Sequence, residues 1–350
     1  MMHDAPGTGP LHGAARLEAR VSAVVARALQ RRGWRPAVSP HVGYGADGWV
    51  RVLARVLLVP PGSSRVGVRD ARGWRRFVTT EAPGVPVTVR VGSHLHHAIS
   101  DREGYLDLRL PSDLEPGWSR VTFTLEDAEP VEAPVHVVGP ETRTGLVSDI
   151  DDTVIETMLP RPLVAFRNAF FARESTRRAV PGMSELYAQI TAAHPDLFVV
   201  YLSTGAWNLA VPLNAFLARH GFPQGPLLLT DWGPTESGWF RSGQDHKRTE
   251  LRRLVDDLPG LRWLLVGDDG QHDPLLYAEA VAAAPDRVLG VAIRQLSLTQ
   301  QVVIHGNATA PDRPTVGDGS GAAAPVLAPD GYGLADGLRA RGIVLDRRPI

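Results

Sequence analysis

The feature that most constrains the fold is an alternation, between residues 145 and 293, of short apolar runs and longer segments with helical spacing. The apolar runs predict strands at Gly145–Ser148, Leu197–Leu202, Leu227–Leu229, Trp263–Val266 and Val288–Ile293. The segments between them predict helices at Met183–Ala193, Leu209–Arg219, Lys247–Asp256 and Pro274–Ala283. Strands that alternate with helices are typical of a parallel sheet with crossover connections. We therefore expect an α/β domain over residues 141–300.

The preceding region, residues 33–140, consists of short β-rich runs separated by Pro, Gly and Asp turns. The runs are Val50–Val59, Val85–Val91, Tyr105–Leu110, Arg120–Leu125 and Val135–Val138. Short strands at this spacing predict a small antiparallel β-sandwich domain. Three histidines in this region, His94, His96 and His97, have no cysteine or carboxylate pair nearby. We interpret them as solvated strand-edge histidines, with a metal site as the alternative.

Both ends of the chain differ from these two regions. Residues 1–32 begin with a polar, Gly/Pro-rich tip and continue with helical spacing from Ala14 to Arg31, which Gly33 ends. Residues 301–350 are rich in Gly, Ala and Pro, which predicts a tail. Within that tail, a short docked helix over Gly333–Leu345 is the alternative.

Composition limits the classes of function. With 350 residues, two domains are expected. A formal net charge of −1 gives no basic field, so nucleic acid is not indicated as a partner. The absence of cysteine excludes disulfides, thiolate metal sites and cysteine-nucleophile phosphatases. No secretory signal or transmembrane run is visible. The expected location is the cytoplasm, with peripheral membrane contact as an option, and the oligomeric state stays open.

A dense acidic motif follows the first predicted strand of the α/β region. Asp149 and Asp151 belong to a D-x-D-x-T string that ends at Thr153. Ligands bind at the carboxyl ends of the strands in open parallel sheets, and carboxylates this close need a cation or shared protons. Oxygen ligands of this kind suit Mg²⁺. An EF-hand loop is excluded because Val154 and Pro160 stand where Gly and Glu are needed. A glycosyltransferase metal motif and a solvated acidic turn remain alternatives.

Three later features favour phosphoryl transfer. Ser203 ends the second predicted strand and can donate a hydrogen bond to a phosphoryl oxygen. Lys247 opens a predicted helix and can neutralise that group as a point charge. A further apolar strand leads into Asp268 and Asp273. Each feature has an ordinary structural explanation, but their order, each at a strand end or helix start, indicates one site.

With these residues the chain resembles the haloacid dehalogenase (HAD) superfamily, in four motifs: Asp149/Asp151, Ser203, Lys247 and Asp268/Asp273. More narrowly, it resembles the phosphatidate phosphatase catalytic-domain family typified by the fungal actin-patch enzyme. The strings that carry this resemblance are Asp149–Thr153, Pro181–Tyr187, Gly221–Leu227, Gly267–Pro274 and Val291–Arg294. The resemblance covers roughly residues 144–295. It implies a Rossmann-like HAD catalytic domain with a small cap insert, preceded by the sandwich.

The resemblance also implies a mechanism. Asp149 attacks phosphorus and forms an aspartyl-phosphate, and Asp151 acts as general acid and then general base. The Asp149 carboxylate, the Asp151 backbone carbonyl and Asp268 are expected to hold Mg²⁺. Asp273 is expected to orient metal-bound water. Ser203 and Lys247 are expected to stabilise the phosphoryl oxygens, and no further cofactor is expected.

Substrate choice is less constrained. Gly205-Ala206-Trp207 replaces the Ser-Pro-Trp usual in the family, and Asp269 stands where Ser is usual. The insert from Val154 to Val180 combines aromatic residues with arginines, which fits either a packed lid helix or a face toward anionic lipid. The resemblance implies phosphatidate as the substrate, and a soluble sugar or nucleotide monoester is the alternative. A third hypothesis, surface docking through the sandwich, predicts that deletion of residues 1–140 spares catalysis.

Overall fold

The structure is a computed structural model that describes residues 24–62, 80–156, 178–230, 243–270, 272–297, 300, 324–343 and 345. The predicted N-terminal tip, the aromatic and arginine-rich part of the insert, and the first part of the tail lie outside these residues. Residues 24–31 are helical (α1), as the N-terminal spacing predicts. Within the described part of the chain, every helix is too short or too polar to cross a membrane.

In the described residues, the strands of the N-terminal region belong to one nine-stranded sheet, which we call the sandwich. Its strands are β1 (Arg35–Pro40), β2 (Gly43–Ala46), β3 (Trp49–Val59), β4 (Thr80–Glu81), β5 (Pro86–Val91), β6 (His94–Ile99), β7 (Tyr105–Pro111), β8 (Gly117–Thr124) and β9 (Val131–Val138). They neighbour one another in the order β1-β3-β2-β9-β8-β5-β6, and β4 and β7 also pair with β3. The β2–β9 pair is parallel, whereas the other described pairs are antiparallel. The sheet is therefore mixed, where the sequence predicts a purely antiparallel one.

Side chains from several strands of this sheet form an apolar core. Val52 and Val56 of β3 face Val89 of β5 and Phe123 of β8 within this core. Alternation of inward and outward side chains, which a pleated strand imposes, explains the pattern along β5. The predicted histidines lie on β6, which is an edge strand, in agreement with their interpretation.

The C-terminal region is an α/β unit with a parallel sheet. Its strands are β10 (Thr144–Ser148), β11 (Phe198–Ala206), β12 (Leu227–Thr230), β13 (Arg262–Asp268), β14 (Val288–Arg294) and β15 (Val326–Ala328). Its helices are α2 (Met183–Ala193), α3 (Ala210–Arg219), α4 (Gly243–Asp257), α5 (Asp273–Ala283) and α6 (Gly331–Ala340). The predicted strands and helices are confirmed, with ends that shift by a few residues.

The strand order of this sheet determines where a ligand can bind. The order is β12-β11-β10-β13-β14-β15, and all the pairs are parallel. Because the order runs backward from β10 to β12 and forward from β13, the direction switches between β10 and β13. Open α/β sheets bind ligands at the carboxyl ends of the strands at such a switch point. Asp149 follows β10 and Asp268 ends β13, so both acidic residues lie at this point.

The two faces of the parallel sheet are covered differently. Helices α2, α3 and α6 pack on one face, around Leu146 and Tyr201. On the other face, Phe198 and Val200 share a cluster with α4 and α5 and also with Tyr44 and Leu53 of the N-terminal sheet. The N-terminal sheet therefore buries apolar surface of the parallel sheet, and the two regions share a core.

The C-terminal segment differs from the expected tail. Residues 326–328 form β15, which pairs with β14, and Asp330 caps α6 by accepting a hydrogen bond from the Gly333 backbone N–H. Leu334 and Leu338 of α6 are fully buried against the α/β core. Helix α6 begins at Gly331, where an added Cβ would lie 2.1 Å from the backbone of Gly182. This segment is an integral part of the α/β unit.

Candidate active site

The loop after β10 buries a group of polar residues. Asp149, Asp151, Asp152 and Thr153 are each at most 5% exposed. Asp152 has a φ of 59°, a left-handed conformation that is uncommon for residues other than glycine. Its N–H donates to the Ile155 carbonyl at 2.8 Å, and the Ile155 N–H donates to Ile150. A tight turn therefore presents successive acidic side chains at the edge of the sheet.

An acidic cluster forms where this loop meets β13 and the start of α5. Asp149, Asp268 and Asp273 each offer a carboxylate oxygen within 4.8 Å of the others. Lys247 Nζ donates to Asp149 Oδ1 at 2.6 Å and to Asp273 Oδ1 at 2.7 Å. The Thr153 hydroxyl lies 3.4 Å from both Asp149 Oδ2 and Asp268 Oδ2. We call Asp149, Asp268, Asp273 and Lys247 the edge cluster.

The charges of the edge cluster do not balance. Burial raises the pKa of the Asp149 carboxyl to about 7; Lys247 opposes the rise, and Asp273 and Asp151 add to it. Burial also raises the pKa of Asp268 well above its ordinary value, with Asp273 and Asp149 adding to the rise. Burial lowers the pKa of Lys247, but Asp149 and Asp273 outweigh it, and the pKa lies above its usual range. The carboxylates would gain free energy from a further cation.

A metal ion fits this arrangement. The cluster offers oxygen donors alone, from three buried carboxylates that face one another. Hard divalent cations prefer carboxylate and carbonyl oxygens. A cation would relieve the repulsion that raises the pKa values of the two aspartates. The cluster is thus suited to hold a metal ion.

Ser203 lies beside the second acidic residue of the motif. Its hydroxyl donates to Asp151 Oδ2 at 3.1 Å and accepts from the Gly205 N–H at 2.9 Å. The Thr230 hydroxyl, at the end of β12, donates to the Thr204 carbonyl at 2.8 Å and so holds the residue that follows Ser203 in place. The carboxyl-terminal part of β11 therefore places the Ser203 hydroxyl beside Asp151.

The structure brings all the predicted site residues to one edge of the sheet. Asp149, Lys247, Asp268 and Asp273 form the edge cluster, and Ser203 joins Asp151 beside it. Lys247 differs in one detail. The sequence predicts that Lys247 opens its helix, whereas α4 begins at Gly243 and Lys247 lies one turn inside it.

Three supporting residues lie outside the predicted set. The Tyr187 hydroxyl donates to Ser148 Oγ at 2.5 Å, and Ser148 Oγ donates to the Asp149 carbonyl at 2.5 Å. Arg294 donates to the Asp152 carbonyl at 2.6 Å. Tyr187 and Arg294 both belong to strings that carry the family resemblance, which is the sequence signal that could have identified them.

Asp269, one departure from the family pattern, and Trp207, which directly follows the departing pair Gly205-Ala206, take up structural positions near the site. Asp269 Oδ1 accepts from the Leu296 N–H at 2.8 Å, so this carboxylate supports the segment after β14. Trp207 stacks on His41 of the N-terminal region at 4.6 Å between ring centroids and lies 6.0 Å from the Tyr105 ring. The sandwich therefore contacts the segment that directly follows β11, the strand that carries Ser203.

Comparison with known proteins agrees with this geometry. Residues 144–295 match the family model described as "Phosphatidate phosphatase APP1, catalytic domain". This segment is therefore similar to that catalytic domain. Phosphatidate phosphatase APP1 of Saccharomyces cerevisiae is 27% identical over 236 residues, which span 62% of this chain and 39% of the relative. An uncharacterized protein of Schizosaccharomyces pombe is 27% identical over 153 residues, which span 43% of this chain and 25% of the relative. The chain thus aligns with less than half the length of either curated relative.

Solved structures show only distant similarity. The HAD domain of the effector protein Lem4 from Legionella pneumophila has 14% identity and a TM-score of 0.30, covering 45% of this chain and 87% of that domain. A carbohydrate acetylesterase from Xanthomonas citri has 11% identity and a TM-score of 0.30, covering 89% of this chain and 75% of that structure. The assignment of the fold therefore depends on the strand order and the family match.

Proposed function

We propose that this protein is a Mg²⁺-dependent phosphatase that hydrolyses a phosphomonoester, with phosphatidate as the substrate and diacylglycerol as the product. The observation that carries the proposal is the edge cluster at the switch point of the parallel sheet, next to the pair Ser203 and Asp151. The match of residues 144–295 to the phosphatidate phosphatase catalytic-domain model supports the choice of substrate.

Each residue has a role in the proposed mechanism. Asp149 attacks phosphorus, the ester oxygen leaves, and an aspartyl-phosphate forms. Asp151 protonates the leaving oxygen and then takes a proton from the water that cleaves the aspartyl-phosphate. Ser203 orients Asp151 and, with the backbone N–H groups of its loop, donates to the phosphoryl oxygens. Lys247 holds the Asp149 carboxylate in place and contributes positive charge beside the phosphoryl group.

The residues that would hold Mg²⁺ are Asp149, the backbone carbonyl of Asp151, and Asp268, with Asp273 orienting its water. When bound there, Mg²⁺ would neutralise charge on the phosphoryl group and on the surrounding carboxylates. The raised pKa values of Asp149 and Asp268 support this role, because an added cation would favour their ionised forms.

The partners follow from the substrate. Phosphatidate resides in membranes, so we propose a cytoplasmic protein that acts peripherally at an anionic lipid surface. The shared core of the two regions argues against a sandwich that merely docks the protein. Tyr44 and Leu53 pack on Phe198 of the catalytic sheet, so loss of the sandwich would expose this apolar surface.

The test is phosphate release from phosphatidate in mixed micelles and from a panel of soluble monoesters, with Mg²⁺ or with EDTA. We expect Mg²⁺-dependent release from phosphatidate that is lost in Asp149→Asn. Asp127→Asn, at an exposed turn in the sandwich, is the matched control and should retain wild-type activity. Release from soluble monoesters alone would overturn the lipid assignment and keep the mechanism. If no phosphate were released from any of the substrates tested, the proposed function would be overturned.

A further inference from the structure

Arg294, at the carboxyl end of β14, connects three segments that are distant in sequence. It is 4% exposed, although it carries a full positive charge. Its Nη1 donates to the Asp152 carbonyl at 2.6 Å, and its Nε donates to the Pro329 carbonyl at 3.1 Å. Its Nη2 lies 3.4 Å from Gln300 Oε1. One guanidinium therefore joins the acidic loop to the segment that leads into α6.

The Asp152 carbonyl is a point where the acidic loop needs support. Asp152 adopts a left-handed φ of 59°, a strained conformation for a residue other than glycine. The turn persists only where its surroundings hold it. Loss of a donor to a buried carbonyl is destabilising. Arg294 supplies that donor, so its loss would favour a relaxed turn.

The charge of Arg294 is poorly matched to a purely stabilising role. Its contact with Glu156 is long, with 4.0 Å between Nη2 and Oε1. Among the described residues, its shorter contacts are with two backbone carbonyls and the amide oxygen of Gln300, and these neutral acceptors compensate the desolvation of a cation less well than a carboxylate does. The arginine fork instead supplies fixed geometry, because its donors bind several acceptors at once.

We propose that Arg294 is a positioning residue for the general acid. By holding the left-handed turn at Asp152, it fixes the preceding residue, Asp151, at the distance from Ser203 that leaving-group protonation requires. This inference rests on the proposed function, and it adds to it a residue that acts through Asp151 without touching the substrate. The role also explains why the α6 segment is part of the catalytic unit, since Pro329 shares the same guanidinium.

The chain offers a matched control at the other end of the same strand. Arg287 also donates to two backbone carbonyls, those of Leu261 at 2.9 Å and Leu258 at 2.7 Å. It precedes β14, whereas Arg294 ends it, so Arg287 lies at the edge of the sheet opposite the site. Loss of Arg287 should reduce stability without moving Asp151.

The experiment compares Arg294→Gln, Arg294→Lys and Arg287→Gln with the wild type on two substrates. Dioctanoyl phosphatidate has an alkoxide leaving group that needs protonation, whereas p-nitrophenyl phosphate has a leaving group that does not. A misplaced general acid should therefore affect the first substrate more. For Arg294→Gln we expect kcat on dioctanoyl phosphatidate to fall roughly 100-fold, with KM nearly unchanged and a smaller loss on p-nitrophenyl phosphate. Arg294→Lys should be intermediate, and Arg287→Gln should lie within about twofold of the wild type.

Hydrogen exchange provides a second readout that does not require turnover. We expect the peptide spanning residues 149–156 to exchange faster in Arg294→Gln and to remain unchanged in Arg287→Gln. If Arg294→Gln does not fold, Arg294→Lys carries both measurements. Equal losses on the two substrates, or unchanged exchange in residues 149–156, would overturn the positioning role. A wild type that releases no phosphate would defeat the proposed function, while exchange would still decide whether Arg294 holds the turn.

Discussion

Two charge clusters each include one residue of helix α4, Lys247 in the first and Glu250 in the second. The edge cluster lies at the carboxyl ends of the parallel strands. The second, which we call the interface cluster, joins the sandwich to α4 and consists of Arg51, Asp107, Glu250 and Tyr44. Arg51 donates to both oxygens of Asp107 at 2.6 Å, to Glu250 at 2.8 Å and to the Tyr44 hydroxyl at 3.0 Å.

The difference between the clusters is how completely the charges are paired. In the interface cluster the guanidinium is bonded in every direction, and Glu250 also lies 3.2 Å from Arg253. In the edge cluster, Lys247 bonds two of three facing carboxylates, and the pKa values of Asp149 and Asp268 are raised by burial. A balanced cluster fixes the arrangement of domains. A cluster with unpaired carboxylates lowers the stability of the folded state, and we therefore expect it where a bound ligand supplies the missing charge.

The substitution with the largest expected effect is Asp268→Asn, which tests whether the edge cluster contains an unpaired carboxylate. We expect turnover to fall by at least about 10³-fold, because a metal ligand is lost. We also expect the free energy of unfolding without metal to rise. The folded-state pKa of Asp268 lies above its unfolded value, so its ionised form destabilises the folded state at neutral pH. Urea denaturation in EDTA measures the stability. A destabilised variant would show that the carboxylate is adequately paired.

Arg51→Ala tests the interface cluster. Its loss leaves Glu250 buried without its closest partner, which should lower the free energy of unfolding by about 3–5 kcal/mol. The matched control is Arg120→Ala. Arg120 pairs with Glu132 at 3.1 Å on the surface, and we expect an effect of less than about 1 kcal/mol. Similar effects in the two variants would refute the structural role of the interface cluster.

His41 tests whether the interface tolerates an unpaired charge. Burial, to which the charge of Arg55 adds, lowers the pKa of His41 to about 3. The unfolded chain takes up this proton near pH 6.5, so stability declines as pH falls from about 6.5 toward 3. Between pH 6 and 4.5, His41 should lower the free energy of unfolding by about 2 kcal/mol.

The control for this pH effect is His41→Phe, which keeps an aromatic ring against Trp207 and cannot take up a proton. Urea denaturation at both pH values measures the difference. A pH dependence that is the same in the wild type and in His41→Phe would show that His41 is protonated without cost in the folded state.

Local patterns account for the parts of the fold that the sequence predicted. Apolar runs and helical spacing indicated β10 to β14 and helices α2 to α5, because both periodicities are visible within a dozen residues. Strand β15 escaped prediction because Val326–Ala328 is short and flanked by Gly, Ala and Pro residues, and it gains its identity only by pairing with β14. The parallel pairing of β2 with β9 likewise depends on contacts across about 90 residues of chain.

In the site, too, local sequence patterns indicate some residues, whereas contacts between distant residues could not be predicted. Asp149, Asp151 and Asp268 could be predicted because each follows or ends an apolar strand, and strand ends meet at one edge. Ser203 was predicted to end its strand, whereas it lies inside β11, which continues to Ala206. The Arg51–Glu250 bond joins residues 199 positions apart, and no local pattern indicates it. Arg294 was visible in a motif, but its role requires knowing that the end of β14 lies against the Asp152 turn.

The central claim, that the edge cluster is completed by a divalent cation, is tested most directly by urea denaturation of the wild type and Asp268→Asn across a Mg²⁺ titration. The account predicts that Mg²⁺ stabilises the wild type, by about 1.4 kcal/mol at ten times its Kd. Asp268→Asn should show almost no such gain. A wild type whose stability does not change with Mg²⁺, or an equal gain in the variant, would contradict the account.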